Sequence, residues 1–247
     1  MGLAARYVMG FYFDQLGIDQ KCDYQKVAQA VSKYQSAVKV DASDSKKIHQ
    51  TLMAVKYDNP ELCFWSLDET TLDGDTLNLI YYTRSEEEAS ELIQTLRDKR
   101  RTFIANILKE DGCTSQEELL KRVYDYLVQT TEYADDELQK PVCSRWIYDI
   151  RGVLLKGKGV CLGIAMAVNY LCMALHIPSI LVTGEAKIAG WNGNHGWNMV
   201  ELEGEYFHMD VTSAIVRDEA LRDKDFLMKD EDIAGRSWSK TLYPKAV

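Results

Sequence analysis

No CxxC pair occurs among the six cysteines, which stand at 22, 63, 113, 143, 161 and 172. Neither a zinc ribbon nor a disulfide-stapled scaffold is therefore indicated, and most of these thiols are expected to be reduced and structural. No apolar run approaches the roughly 20 residues that cross a membrane. Positive charge is in deficit, with 29 Lys and Arg against 38 Asp and Glu and a formal net charge of -9. That balance argues against nucleic acid or an anionic membrane as a partner. There is no D-x-D-x-D-G loop, so no calcium requirement is expected. No internal repeat or low-complexity segment appears. The N-terminus, MGLAARYVMGFYFDQLG, lacks a clean apolar core and an A-x-A site and makes a poor signal peptide, and Arg6 spoils a myristoylation signal. The expected compartment is the cytoplasm by default, or the cell envelope or exterior if a leader has been removed.

At 247 residues the chain can hold one sizeable core, or a catalytic domain with a smaller lobe. The stretch GKGVCLGIAMAVNY, 157 to 170, organises the rest. Gly157 and Gly159 predict a turn, and Cys161 then opens an apolar periodicity through Ile164, Ala165, Val168, Leu171, Cys172 and Leu175, a helix buried on one face. A helix N-terminus favours a thiolate and can hold a developing oxyanion.

Elsewhere Asp23 is expected to cap a helix carrying Val27, Ala28, Val31, Tyr34 and Val38, with a short helix around Ile48, Leu52 and Val55 after a break at Ser43 to Ser45. Leu62 to Leu67 and Thr76 to Thr83 read as strands joined by a long turn at Asp73-Gly74. Ser85 with Glu88, and Ser115 with Glu118, read as capping boxes, the first opening a long helix that ends at Asp111-Gly112. Thr130 to Lys140 and Gly190 to Asn194 read as loops.

The segment 195 to 212, HGWNMVELEGEYFHMDVT, reads as a hairpin turning at Glu203-Gly204, which pairs positions summing to 407. Val200, Leu202, Phe207, Met209 and Val211 then form an apolar face. His195, Trp197, Tyr206, His208 and Asp210 share the other. Continued to its end, this register sets Trp197 opposite Asp210 and makes Asp210 a diagonal neighbour of His195. Cys161, His195 and Asp210 thus form a candidate nucleophile, base and orienting carboxylate.

These residues resemble the transglutaminase-like superfamily of papain-like cysteine enzymes. The likeness rests on GVCLGIAMA at 159 to 167, NHGWNMVELEGEYFHMDVT at 194 to 212, and the order Cys, His, Asp; a tail DFLMKDEDIAGRSWSKTLYP and a lead KYDNPELCFW resemble those of bacterial members. Departures from the family pattern stand at Arg151, Ile164, Gly196 and Ser213, positions that shape a cleft rather than the triad. The resemblance implies an α+β, papain-like fold in which a catalytic helix packs on an antiparallel sheet. Residues 1–84 would form a mainly helical lobe with a small hairpin, and 85–247 the catalytic domain. Cys161, His195 and Asp210 would be the triad, acting on protein or peptide amides without a cofactor, as peptidase, amidase or protein crosslinker.

Trp197, Asn198, His208 and Trp191 are expected near the substrate cleft. One alternative is a catalytically silent binding module that keeps the fold. Another is a metal enzyme built on His208 and Asp210, which the absence of any later histidine disfavours; no metal is expected.

Overall fold

The computed structural model describes residues 5–42, 44–109, 115–188 and 190–247. The fold is mixed α+β, with antiparallel sheets of three and four strands and one short parallel pair, and it divides into two compact units, Met1–Asp98 and Lys99–Val247. The expected lobe boundary at 84/85 precedes a long helix, and the division between units falls within that helix, after Asp98.

In the first unit come α1 (Phe11–Asp14), α2 (Ile18–Ser32), β1 (Ala37–Lys39), α3 (Ser45–Asp58), β2 (Trp65–Asp73) and β3 (Thr76–Tyr81). The strands order as β1-β3-β2. Tyr24, Val27, Val31, Leu52, Val55, Phe64 and Trp65 share one apolar core. Three local expectations are corrected. Gly17, not Asp23, stands at the α2 N-cap, and Asp23 is buried inside the helix, where it accepts the amides of Asp41 and Ala42 at 2.8 and 2.9 Å. The helix also stops early. Tyr34 has φ 55, in the left-handed region, and Val38 lies in β1. The turn between β2 and β3 is tight, since Asp73 pairs with Thr76 and Gly74 takes φ 59. Of the expected helix break, Ser43 lies outside the described residues, while Asp44 caps α3 through the Lys46 amide.

The helix α4 (Glu86–Lys109) starts with Ser85 Oγ accepting the Glu88 amide, but the Glu88 carboxylate accepts from the Arg84 amide rather than closing a box. Its expected end at Asp111-Gly112 lies outside the described residues. The second unit continues through α5 (Gln116–Thr130), where the Ser115–Glu118 capping box forms in full. It then runs β4 (Glu132–Tyr133), α6 (Asp135–Leu138), β5 (Lys158–Gly159), α7 (Cys161–Ala174), β6 (Ser179–Ile188), β7 (Trp191–Leu202), β8 (Glu205–Met209), α8 (Val211–Val216) and β9 (Arg236–Trp238).

The main sheet has the order β8-β7-β6-β9, antiparallel throughout. Its β7–β8 register is Asn198↔Met209, Val200↔Phe207 and Leu202↔Glu205, the expected sum of 407, with Glu203 and Gly204 at φ 54 and 85 as a two-residue hairpin turn demands. Gly190 to Asn194 is not a loop as expected, because β7 already begins at Trp191 and pairs with β6 from Ile188 on.

α7 packs against β6 and β7 on one side and against α5, α8 and the 145–148 turn on others. It is therefore buried nearly all round, from Gly163 to Cys172, rather than on one face. Fully burying a residue such as Ile164, Val168 or Leu171 contributes about 1.5–3 kcal/mol, which fixes the helix and the cysteine at its start.

Candidate active site

Two glycines aim the chain at Cys161 for different reasons. Gly157 takes φ 66, which an L side chain disfavours. Gly159 needs no special φ; a Cβ there would meet Val153 Cγ2 at 2.6 Å. Cys161 is then the first residue of α7, half-buried, and its N-cap Val160 offers no side chain to the terminal N–H groups.

His195 and Asp210 are both buried, and His195 Nε2 lies 2.8 Å from Asp210 Oδ2. The route differs from simple strand pairing. The β7–β8 ladder ends at Asn198↔Met209, so Trp197 does not pair with Asp210, nor His195 with Thr212. Asp210 instead caps α8, its Oδ1 accepting the Ser213 amide at 2.9 Å, and this turn points Oδ2 at the ring. Burial would strip the proton from His195, but the Asp210 carboxylate outweighs it and a hydrogen bond with the Cys161 side chain adds to the pull, raising the imidazole to about 9. Burial likewise opposes ionisation of Asp210, and the His195 ring together with Arg236 holds that carboxyl below its usual range.

Asp210 Oδ2 also receives Arg236 of β9, with Nε at 2.8 Å and Nη2 at 2.7 Å. Nη2 reaches on to Asp225 Oδ1 at 3.0 Å, and Arg217 Nε lies 3.0 Å from Asp225 Oδ2 and donates to Ser213 Oγ at 2.9 Å.

A pocket of about 350 Å³ opens at His195, lined by Tyr133, Asp135, Ile188, Gly190, Thr212, Ser213 and Val216. Tyr133 arrives through the parallel pairing of β4 with β5, Tyr133 opposite Gly159, inside the stretch expected to be loop. Ala134, Ile147 and Val160 pack together beneath it. Burial pushes the Tyr133 hydroxyl up, and the neighbouring Cys161 and Asp135 add to that.

Of the four expected cleft residues, three are placed otherwise, and the side chain of the fourth, Trp191, is not described. Trp197 is buried and stacks on His195 at 5.7 Å, covering the ring rather than lining the pocket. Asn198 donates to Ala165 O and Asn169 Oδ1 at 3.0 and 2.8 Å and so ties β7 to α7. Trp191 opens β7, and its side chain is outside the described part. His208 is fully buried. Trp197 Nε1 can only donate, and it does so to His208 Nδ1 at 3.0 Å, so Nε2 carries the proton given to Asp230 Oδ1 at 2.9 Å. Both ring nitrogens are thereby occupied, and His208 with Asp210 is not a ligand pair. Among the described residues no group of three His, Cys, Asp or Glu side chains is arranged to hold a metal, and no helix is long and apolar enough to cross a membrane.

On the hairpin's polar face His195, Trp197 and His208 are thus buried and Tyr206 half-buried, because the chain after 225 covers it: the His208 and Met228 backbones bond reciprocally at 2.7 and 2.8 Å, and Trp238 sits edge-on to His208 at 4.7 Å.

Residues 104–211 match the sequence profile of the Transglutaminase-like superfamily. The likeness to that superfamily is carried by this part of the chain. The matched span contains Cys161, His195 and Asp210. No curated protein matches the chain. Among solved structures it is similar to a TGase at 18% identity, over 68% of this chain and 48% of the other, with a TM-score of 0.40. It is also similar to a candidate cysteine protease of Cytophaga hutchinsonii at 19% identity, over 57% and 45%, TM-score 0.39. A candidate protease of Parabacteroides distasonis ATCC 8503 shares 15% identity over 58% and 35%, TM-score 0.32. The chain spans about half the length of these structures or less.

Around this site, sequence reasoning missed Tyr133, Asp135, Asp225 and Arg236. Only Asp225 and Arg236 had a signal, positions in a tail that resembles that of bacterial members.

Two expectations arise here. Iodoacetamide should label Cys161 faster than the other described cysteines. Cys63 and Cys172 are buried, the Cys172 thiol being pushed up to about 12 by burial, while Cys22 is exposed but is not among the groups around His195. Mass mapping that finds Cys22 labelled first, with Cys161 inert in folded protein, would overturn the assignment.

His208 gives the second. Burial lowers its pKa despite Asp230, so the folded state resists a proton that the unfolded chain accepts near pH 6.5. Its contribution to stability is present above that pH and is lost as pH falls through its lowered folded value. The urea midpoint of the wild type should drop more steeply below about pH 6.5 than that of His208→Asn. Equal slopes would dismiss the idea.

Proposed function

We propose that the chain is a thiol enzyme that transfers acyl groups from protein or peptide amides through a thioester on Cys161. What supports this most is one arrangement: His195 gives Nε2 to Asp210, so Nδ1 is the ring nitrogen that serves the thiol at the start of α7.

In this mechanism His195 takes the Cys161 proton, and Asp210 holds the resulting imidazolium in orientation. The sulfur attacks the amide carbonyl carbon, and the oxyanion lies against the Cys161 backbone N–H at the helix start, with the Tyr133 hydroxyl beside it as a second donor. Collapse breaks the C–N bond while the imidazolium gives its proton to the leaving amine. Neutral His195 then deprotonates the acceptor, which attacks the thioester and releases the thiol. Water as acceptor makes a peptidase or amidase; a lysine amine makes a crosslinker. Trp197, stacked over the ring, keeps bulk water from the His195–Asp210 bond.

The test is incubation with casein, with and without a labelled primary amine. New peptides, released ammonia or incorporated label each support acyl transfer, and which appears names the acceptor. No product of any kind, with Cys161 unreactive, would leave a binding module instead.

A further inference from the structure

The buried chain of charges behind His195 is more than a transfer of one proton requires. Two carboxylates, Asp210 and Asp225, lie close together, and Arg236 Nη2 stands between them at 2.7 and 3.0 Å. The Arg236 side chain and both carboxylates are essentially inaccessible to water, so no solvent screens them. We infer that Arg236 is a positioning residue of the active site, keeping Asp210 ionised and turned toward His195 by neutralising the repulsion of Asp225.

Two buried carboxylates sharing a site cannot both stay ionised without a compensating cation, and one takes up a proton. The strain is visible at Asp225, which burial and then the charge of Asp210 push upward even with both arginines present. Arg217 cannot substitute, since it reaches Asp225 and Ser213 but has no contact with Asp210 among those described. A guanidinium suits the place because its planar fork offers both Nε and Nη2 to Asp210 while Nη2 also meets Asp225; an ammonium would put a single nitrogen where the fork puts two. The remaining titratable groups near the His195–Asp210 pair are Cys161 of α7, Tyr124 of α5, whose hydroxyl burial and the two carboxylates push up, and Tyr133 and Asp135, which line the pocket at His195. None of them supplies positive charge.

The inference rests on the reading of Cys161, His195 and Asp210 as the reacting set. Its test is the rate of Cys161 alkylation against pH, by mass mapping, in wild type, Arg236→Met and Arg236→Lys, with His195→Ala as reference. Without Arg236 the Asp210–Asp225 pair holds a proton to higher pH, Asp210 supports the imidazolium less, and the acid limb of alkylation should move up by about one pH unit, a roughly tenfold slower reaction below the limb. Arg236→Lys keeps the charge but, with a shorter stem and one nitrogen, loses the paired Nε and Nη2 contact with Asp210, so its limb should move up by about half as much. If Arg236→Met does not fold, the lysine variant decides. A merely structural role would lower stability and leave both limbs where they are in wild type, and that result overturns the proposal. Failure of the underlying reading looks different: alkylation of Cys161 would not change in His195→Ala.

Discussion

Cys161→Ala is expected to abolish turnover of casein under both assay conditions while leaving the thermal transition within a few degrees of wild type. The sulfur is the only atom removed, and the site is half-exposed, so the cavity cost is small beside that of a buried truncation. The rest of the site would remain in place: His195 and Asp210 are bonded to each other without the thiol, and α7 is held by its buried side chains. With no nucleophile, the thioester cannot form, and any remaining rate comes from oriented water, lower by orders of magnitude. The measurement is peptide and label release together with circular dichroism. Turnover within about tenfold of wild type would mean that the thiol is not the nucleophile.

Asp210→Asn should lower turnover by roughly 10 to 10³, less than the about 10⁴ of the corresponding replacement in a serine protease, because a thiol gives up its proton more readily than a hydroxyl and so depends less on the base at the moment of attack. The amide still accepts the Ser213 N–H and so keeps the α8 cap, but it can offer His195 a donor where an acceptor is needed. From the hairpin register alone this variant would be expected to fold as wild type. The buried arginine changes that expectation. Removing the charge leaves Arg236 with Asp225 as its charged partner and breaks a dry ion pair, a loss of about 3–5 kcal/mol. Sign and pH follow from the shifts. The imidazolium that Asp210 sustains contributes stability below the unfolded histidine value near 6.5, and that contribution is lost as pH rises through about 9. The stability difference between wild type and Asp210→Asn should therefore narrow above about pH 9 in urea titrations. A folded variant with unchanged turnover would end the triad assignment.

Much of the frame was legible because it is local. The Ser115–Glu118 box, the Glu203-Gly204 turn and the β7–β8 register depend on residues within a few positions of each other, and period two fixes which side chains share a face. The apolar run after Cys161 announces a helix, whereas the counting that set Asp210 beside His195 runs past the end of the ladder at Met209. What failed was mostly a boundary where tertiary pairing overrode local preference. Gly190 to Asn194 looks like a loop, yet β6 lies alongside and pairs with it. Thr130 to Lys140 is polar, yet it supplies β4 and the Tyr133 beside the thiol.

The sequence by itself determined the three residues worth testing, their order and the helix that starts at Cys161, since each follows from spacing along the chain. Only the tertiary structure decided what surrounds them. Burial cannot be counted from a polar pattern: the face of Trp197, His208 and Asp210 is closed because Asp230 and Arg236 satisfy His208 and Asp210 across separations of 22 and 26 residues. The strand end also could not be read. Asp210 reaches His195 as a helix cap, because the ladder stops at Met209 and the chain turns, and there its carboxylate meets Arg236, which also pairs with Asp225, partners that no local pattern reveals.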